Sequence, residues 1–265
     1  MKRVAILIKG GISSASGSFR HKVARVNNAN EHLDYHDYVN YTGCYNSIKK
    51  HILEANPNCS FDFYLHSWHP DLEENLNKLY SPIASIHEYN SKYTDIIREK
   101  ARYGGDENRW FNQASFALSI KRVTELLEKH KEKNYDLVMF YRYDVFLWKD
   151  MLMSQYTDDE IYANYFHKGD FHFIMTQEKA LKFGMNLFDS ISNTVKPKEH
   201  HLVNDFSCEY FNKPLKGDNI IPGKYPGGFQ EVIRKLKELD SKQLSEIPFE
   251  DYGLTRKEVD NYNAK

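Results

Sequence analysis

The sequence predicts an α/β fold in which a mostly parallel central sheet is flanked by helices, and three observations carry that expectation. Val4-Ala5-Ile6-Leu7-Ile8 and Leu137-Val138-Met139-Phe140-Tyr141 are uninterrupted apolar runs of strand length, as parallel strands buried on both faces require. Phe116, Ile120, Val123 and Leu127 recur at the spacing of an amphipathic helix. Strands and helices alternate up to Tyr141, the order that parallel pairing through right-handed helical crossovers demands.

The elements follow in order. The first strand stops at Lys9-Gly10-Gly11, a glycine turn. Residues 12–40 are polar and predict a loop and the start of a helix, which continues over 45–53 until Asn56-Pro57-Asn58 breaks it. Residues 61–66 alternate as a second strand and open into Ser67-Trp68-His69-Pro70. A short helix over 71–79, a third strand over 83–89 and the amphipathic helix lead to Asn134, which ends that helix before the 137–141 strand. Beyond Asp150 the pattern predicts strands over 161–164 and 171–175, helices over 177–190 and 201–211, a loop over 223–228 and a charged helix over 229–239. No repeat or linker interrupts the chain, so residues 1–240 read as one domain and 241–265 as a C-terminal extension.

Charge excludes some functions. Lys and Arg number 36 against 37 Asp and Glu, a net charge of −1, so no basic footprint for nucleic acid or an anionic bilayer is present. The apolar run after Met1-Lys2-Arg3 is too short for a signal-peptide core, and no run is long enough to span a bilayer. Cys44, Cys59 and Cys208 are odd in number and widely spaced, which argues against a disulfide framework. A cytoplasmic protein without a transmembrane segment is expected.

Ligands of open α/β sheets bind beyond the carboxyl ends of the strands, so the residues leaving the apolar runs are the candidates for chemistry. Three exits qualify: Gly10-Gly11, His66-Ser67-Trp68 and Arg142-Tyr143-Asp144. Asp144 is the leading candidate, since a strand-end carboxylate can coordinate a hard divalent cation that carries diphosphate charge. The polar stretch 13–18 with Arg20 suits a diphosphate-binding loop, and Trp68 suits stacking on a base or sugar, with core packing an equal alternative. Trp110 and Gln113, which precede the amphipathic helix, either face the nucleotide or simply mark a helix start without a ligand. His66 and His69 have HxxH spacing but no further matched ligand, and Lys121-Arg122 reads as a solvated helix face.

The chain resembles small glycosyltransferases with a GT-A-type, Rossmann-like nucleotide-sugar-binding fold, similar to those of lipopolysaccharide synthesis and of large viruses. The residues carrying the resemblance are Ile6 to Gly11, Phe63 to Trp68, Gly169-Asp170-Phe171 and above all Tyr135 to Phe146. It implies a transferase that moves a hexose or deoxyhexose from a UDP- or GDP-sugar donor to a hydroxyl of a glycan acceptor. Gly10, Gly11, Arg20, His66, Trp68, Gln113, Arg142 and Asp144 would then bind the donor. Arg142-Tyr143-Asp144 would occupy the place of the DxD motif, with Asp144 as ligand of Mn²⁺ or Mg²⁺. This sequence has Arg142 where the first carboxylate belongs, so Arg142 either leaves the cation with one ligand or takes over phosphate charge itself. For an inverting transfer the acceptor hydroxyl needs a base, and Asp205 is favoured over Asp170, which is assigned to acceptor binding. A non-catalytic nucleotide-sugar or glycan-binding module and a sugar-phosphate transferase are the alternatives.

Overall fold

Strand β1 (Lys2–Gly10) organises the molecule, because Val4 to Ile8 are 0% exposed and demand cover on both sides. A computed structural model describes residues 1–12, 41–104, 107–147, 150–164, 172–192, 202–212, 214–218 and 222–224. On either side of β1 lie β2 (Cys59–Ser67) and β4 (Leu137–Arg142), both parallel to it. With β3 (Ala84–His87), β6 (Tyr162–Asn164), β7 (Phe173–Met175) and β8 (Lys216–Asp218) they form a seven-stranded sheet of order β3-β2-β1-β4-β7-β6-β8. β7 is antiparallel to both its neighbours, and the other pairs are parallel. This is a mostly parallel, Rossmann-like α/β sheet.

Alternation along the strands separates two cores. Ala5, Leu7, Tyr64, Val138 and Phe140 face α3 (Thr94–Ala101), α4 (Glu107–Lys129), α5 (Gln177–Ser190) and α6 (Leu202–Phe211). Val4, Ile6, Ile8, Leu65 and Met139 face α1 (Tyr41–Ile48), which continues as a π-helical stretch over Lys49–Glu54, and α2 (Glu73–Tyr80). Each burial of a Leu or Ile side chain contributes about 2 kcal/mol of transfer free energy, so both faces are strongly committed.

Local chemistry sets the boundaries. Thr176 caps α5, its hydroxyl accepting from the Lys179 N–H at 3.5 Å. Asn134 stands at φ +48°, the left-handed conformation that releases the chain into β4. Asn56, expected only to break a helix, is a buried staple: its amide donates to the carbonyls of Ile52 (2.7 Å) and Met151 (2.8 Å) and accepts from Met153 N–H (2.7 Å).

Four elements depart from the sequence reading, among them the unexpected short strands over Val145–Leu147 and Lys216–Asp218. Helix α3 was not expected, because among its eight residues only Ile97 and Ala101 are buried and the rest carry no apolar stripe. Residues 222–224, expected as loop, form β9 (Pro222–Lys224), which pairs antiparallel with β5 (Val145–Leu147). Pro and Gly have no strand propensity, so the partner strand imposes this conformation. The expected helix over 229–239 and the extension 241–265 lie outside the described residues.

Helices α4 and α5 meet at Gly184, where a Cβ would fall 1.9 Å from Oγ1 of Thr124. Gly→Ala within a helix ordinarily gains up to about 1 kcal/mol, but here overpacking against a buried threonine reverses the sign. Gly184→Ala is expected to lower stability by about 1–3 kcal/mol in urea titrations; unchanged or raised stability would show that the helices can separate freely.

Candidate functional site

The strand order contains a reversal. The chain runs from β1 outward to β2 and β3, then returns to place β4 on the other flank of β1, so the topological switch point, where open α/β sheets bind ligands, lies at the carboxyl ends of β1 and β4. There Lys9 is level with His66 on one side and with Arg142 on the other. All three follow the alternation onto the α4 face of the sheet, with neighbouring strands about 4.8 Å apart. Two of the three sequence-predicted exits therefore flank β1, whose own end is the third.

Gly10 ends β1 at φ +110°, a conformation that favours glycine, and accepts a hydrogen bond from Trp68 N–H at 3.3 Å. A Cβ on Gly10 would meet nothing within 4 Å, so the backbone conformation alone selects the residue. Gly11 is exposed beside it. Lys9 is 1% exposed, and its Nζ stands 3.6 Å from the centroid of the Phe116 ring, a cation–π contact.

Arg142 and Asp144 form a side-on ion pair across the turn that follows β4. Arg142 Nε donates to Oδ1 and Nη2 to Oδ2, each at 2.7 Å, and Asp144 is 5% exposed. The Tyr141 hydroxyl steadies this turn by donating to the Val145 carbonyl at 3.3 Å. On the far side of Asp144 lies Cys44 of α1; burial, and after it the charge of Asp144, push its thiol pKa up, so it is a packed, unreactive group.

The second exit is a closed polar network. His66 is 0% exposed; its Nδ1 lies 2.7 Å from the Ser119 hydroxyl and its Nε2 3.3 Å from Glu88 Oε1. Arg122 Nε donates to Glu88 Oε1 at 2.8 Å and the Tyr93 hydroxyl to Oε2 at 2.7 Å. Burial pushes the His66 pKa down, against the Glu88 carboxylate, so the ring is neutral at pH 7. The carboxylate only accepts, which assigns the ring proton to Nε2 and makes Nδ1 the acceptor of the Ser119 hydroxyl. The His66 ring meets Trp68 edge-on at 4.3 Å, and the network holds this indole at the strand exit.

Helix α4 runs antiparallel to these strands. Tyr64 lies against His130 just past its end, His66 against Ser119 and Lys9 against Phe116, so its first turns extend past the strand ends. Trp110, 9% exposed, and the half-buried Gln113 lie on those turns. Asp205 is half-buried in the first turn of α6, whose Phe206 packs on Phe183 of α5 at 5.6 Å; among the described residues no hydrogen bond or ion pair joins Asp205 to Arg142 or Asp144. Arg20, Asp170, the 13–18 loop and Gly169-Asp170-Phe171 lie outside the described residues.

Both carboxylate oxygens of Asp144 already face a guanidinium, and among the described residues no group of three or more His, Cys, Asp or Glu could hold a metal ion. The sequence reading missed Lys9, Glu88 and Ser119. It also took Lys121-Arg122 for a solvated helix face, whereas both side chains are 24% exposed and ion-paired to other elements, Arg122 to Glu88 at 2.8 Å and Lys121 to Asp189 at 2.5 Å. A lysine closing an apolar run at a glycine was the available signal for Lys9. Nothing local distinguishes Glu88 or Arg122, which become partners only across β3 and α4.

Burial alone raises the Glu88 pKa, but the bonds from His66, Arg122 and Tyr93 together outweigh it and hold the group down at about 2, against 4.5 ordinarily. A lowered folded-state pKa contributes stability that is present above pH 4.5 and lost as pH falls towards 2. This contribution is up to about 3 kcal/mol. The stability difference between wild type and Glu88→Gln should therefore shrink steadily over that window in denaturant titrations, and a pH-independent difference would refute the assignment. Asp144→Asn leaves Arg142 in a half-buried site without its charge partner and is expected to cost on the order of 2 kcal/mol; a loss under about 0.5 kcal/mol would mean the pair is as weak as an exposed one.

No protein-family model matches this chain and no curated protein matches it, so the chemistry of the site is read from its own residues.

Proposed function

We propose that the chain is a GT-A-type glycosyltransferase that binds a nucleoside-diphosphate sugar at the carboxyl ends of β1 and β4 and transfers the sugar to a hydroxyl of a glycan acceptor. The observation that carries this reading is the level row of Lys9, His66 and Arg142 at the strand reversal, with an aromatic exit at Trp68 on one side and the Arg142–Asp144 pair on the other. Such a row offers positive charge for phosphate oxygens, and Trp68, 9% exposed, closes its aromatic side.

In this reading Arg142 binds the diphosphate and stabilises the charge that develops on it as the glycosidic bond to phosphate breaks. Asp144 orients the guanidinium. Trp68, held by His66, lines the base or sugar, and Gln113 at the start of α4 faces the nucleotide. The acceptor hydroxyl gives its proton to a carboxylate, Asp205 being the first choice and Asp170 the acceptor-binding residue. The three thiols are free, as suits a reducing cytosol. One observation favours a second reading: the Asp144 carboxylate is closed by Arg142, which also suits a module that binds the nucleotide sugar without turning it over.

The test is thermal stability of the full chain with UDP, GDP, CMP and dTDP and their sugars. A ligand at about 100 times its Kd stabilises the native state by about 2.7 kcal/mol, a shift of about 5 °C or more for a chain of this size. One nucleotide should produce that shift, and the shift, measured against each variant's own baseline, should be lost in Arg142→Gln. Donor hydrolysis or transfer then separates the enzyme from the binding module, and no shift with any nucleotide would end the nucleotide-sugar reading.

A further inference from the structure

The position of Lys9 relative to the Arg142–Asp144 pair bears on how diphosphate charge is met. Lys9 is the residue before the last of β1, on the same face of the sheet as Arg142 and in register with it on the adjacent strand. Parallel pairing in register starts the two cationic side chains from neighbouring backbone positions, about 4.8 Å apart. The ammonium is not on a swinging surface arm: the side chain is buried and the Phe116 ring stands 3.6 Å from Nζ. Immediately beyond it, Gly10 turns away at φ +110° with no side chain to occupy the strand end. The Arg142 plane is fixed as well, because its Nε–Nη2 edge is engaged by Asp144, which turns the Nη1 edge away from the carboxylate.

The same geometry opposes a cation at Asp144. A dication would need the oxygens that Arg142 occupies and would stand beside both the guanidinium and the strand carrying Lys9. The like charges repel, and the site is nearly dry, so solvent screens little of that repulsion. Arg142 and Lys9 supply a charge of +2 without a metal, and Asp144 removes only one unit of it while fixing the fork.

We infer that the diphosphate of the nucleotide is bound by the side chains of Lys9 and Arg142, with Asp144 as the positioning residue of Arg142, and that this binding needs no divalent cation. The inference rests on the nucleotide-sugar reading given above and names the groups that meet the phosphates in it.

Calorimetric titration of the full chain with UDP and GDP, in excess EDTA and again with Mn²⁺, tests it on the unaltered protein. One of the two nucleotides binds with the same Kd, within about twofold, in both buffers, and binds at least about tenfold more tightly than its monophosphate, because the second cation meets the second phosphate. Lys9→Met, checked for a native circular dichroism spectrum, then loses that diphosphate preference, whereas its affinity for the nucleoside alone is unchanged. Arg142→Lys, which keeps the charge and loses the fork, weakens the diphosphate without creating a need for Mn²⁺. Binding that appears only with Mn²⁺ overturns the inference and leaves the nucleotide-sugar reading standing. Equal affinity for monophosphate and diphosphate in the wild type overturns the two-cation arrangement, and this comparison holds even if Lys9→Met does not fold. Absence of binding by UDP, GDP and, titrated likewise, dTDP in both buffers removes the nucleoside-diphosphate reading and the inference together.

Discussion

Everything in this structure depends on β1 being a strand that no water touches. Its five central residues are 0% exposed, so the chain must supply an apolar layer on each face and a hydrogen-bonding strand on each flank. Parallel pairing with both β2 and β4 meets the second demand and has a geometric by-product. Parallel strands in register end together, so polar residues that leave the apolar runs are delivered to one edge of the sheet. The candidate site is the consequence of how the core is closed.

At that edge the molecule tolerates charge only where geometry compensates desolvation. Glu88 is buried with a histidine, a guanidinium and a phenol directed at its two oxygens, and the result is a carboxylate that stays ionised and a histidine that stays neutral. Asp144 is met side-on by the Arg142 guanidinium. Lys9 has the Phe116 ring against its ammonium. The first group is multiply tied and acts as scaffold, holding Trp68 at the exit. The other two lie at the strand reversal, where an anionic ligand can add to the balance of charge.

Legibility varied with the range of the interactions involved. The run Leu137 to Tyr141 and the helical spacing of Phe116, Ile120, Val123 and Leu127 are local patterns dictated by burial, and β4 and α4 follow them. Helix α3 escaped because two buried residues in eight leave no readable stripe, and β9 because Pro222 and Gly223 extend only through pairing with β5. Asp144 and Arg142 were legible as strand-end residues, yet their mutual pairing was not, since residues two apart meet only if the turn brings their side chains to the same side. Arg122 was misread for the opposite reason: on a helix surface nothing local tells an inward guanidinium from a solvated one when its carboxylate partner comes from another element.

The amino-acid sequence by itself determined the α/β class, the apolar strands and the positions where each apolar run gives way to polar residues, because these depend on hydrophobic periodicity within a single segment. Only the tertiary structure decided the strand order, and with it the placing of Lys9, His66 and Arg142 on one level and of Glu88 against His66 and Arg122. Those relations join residues up to 133 positions apart, from Lys9 to Arg142, and no local propensity encodes them. They follow from covering both faces of β1 at once, a constraint that exists only when the whole sheet is assembled.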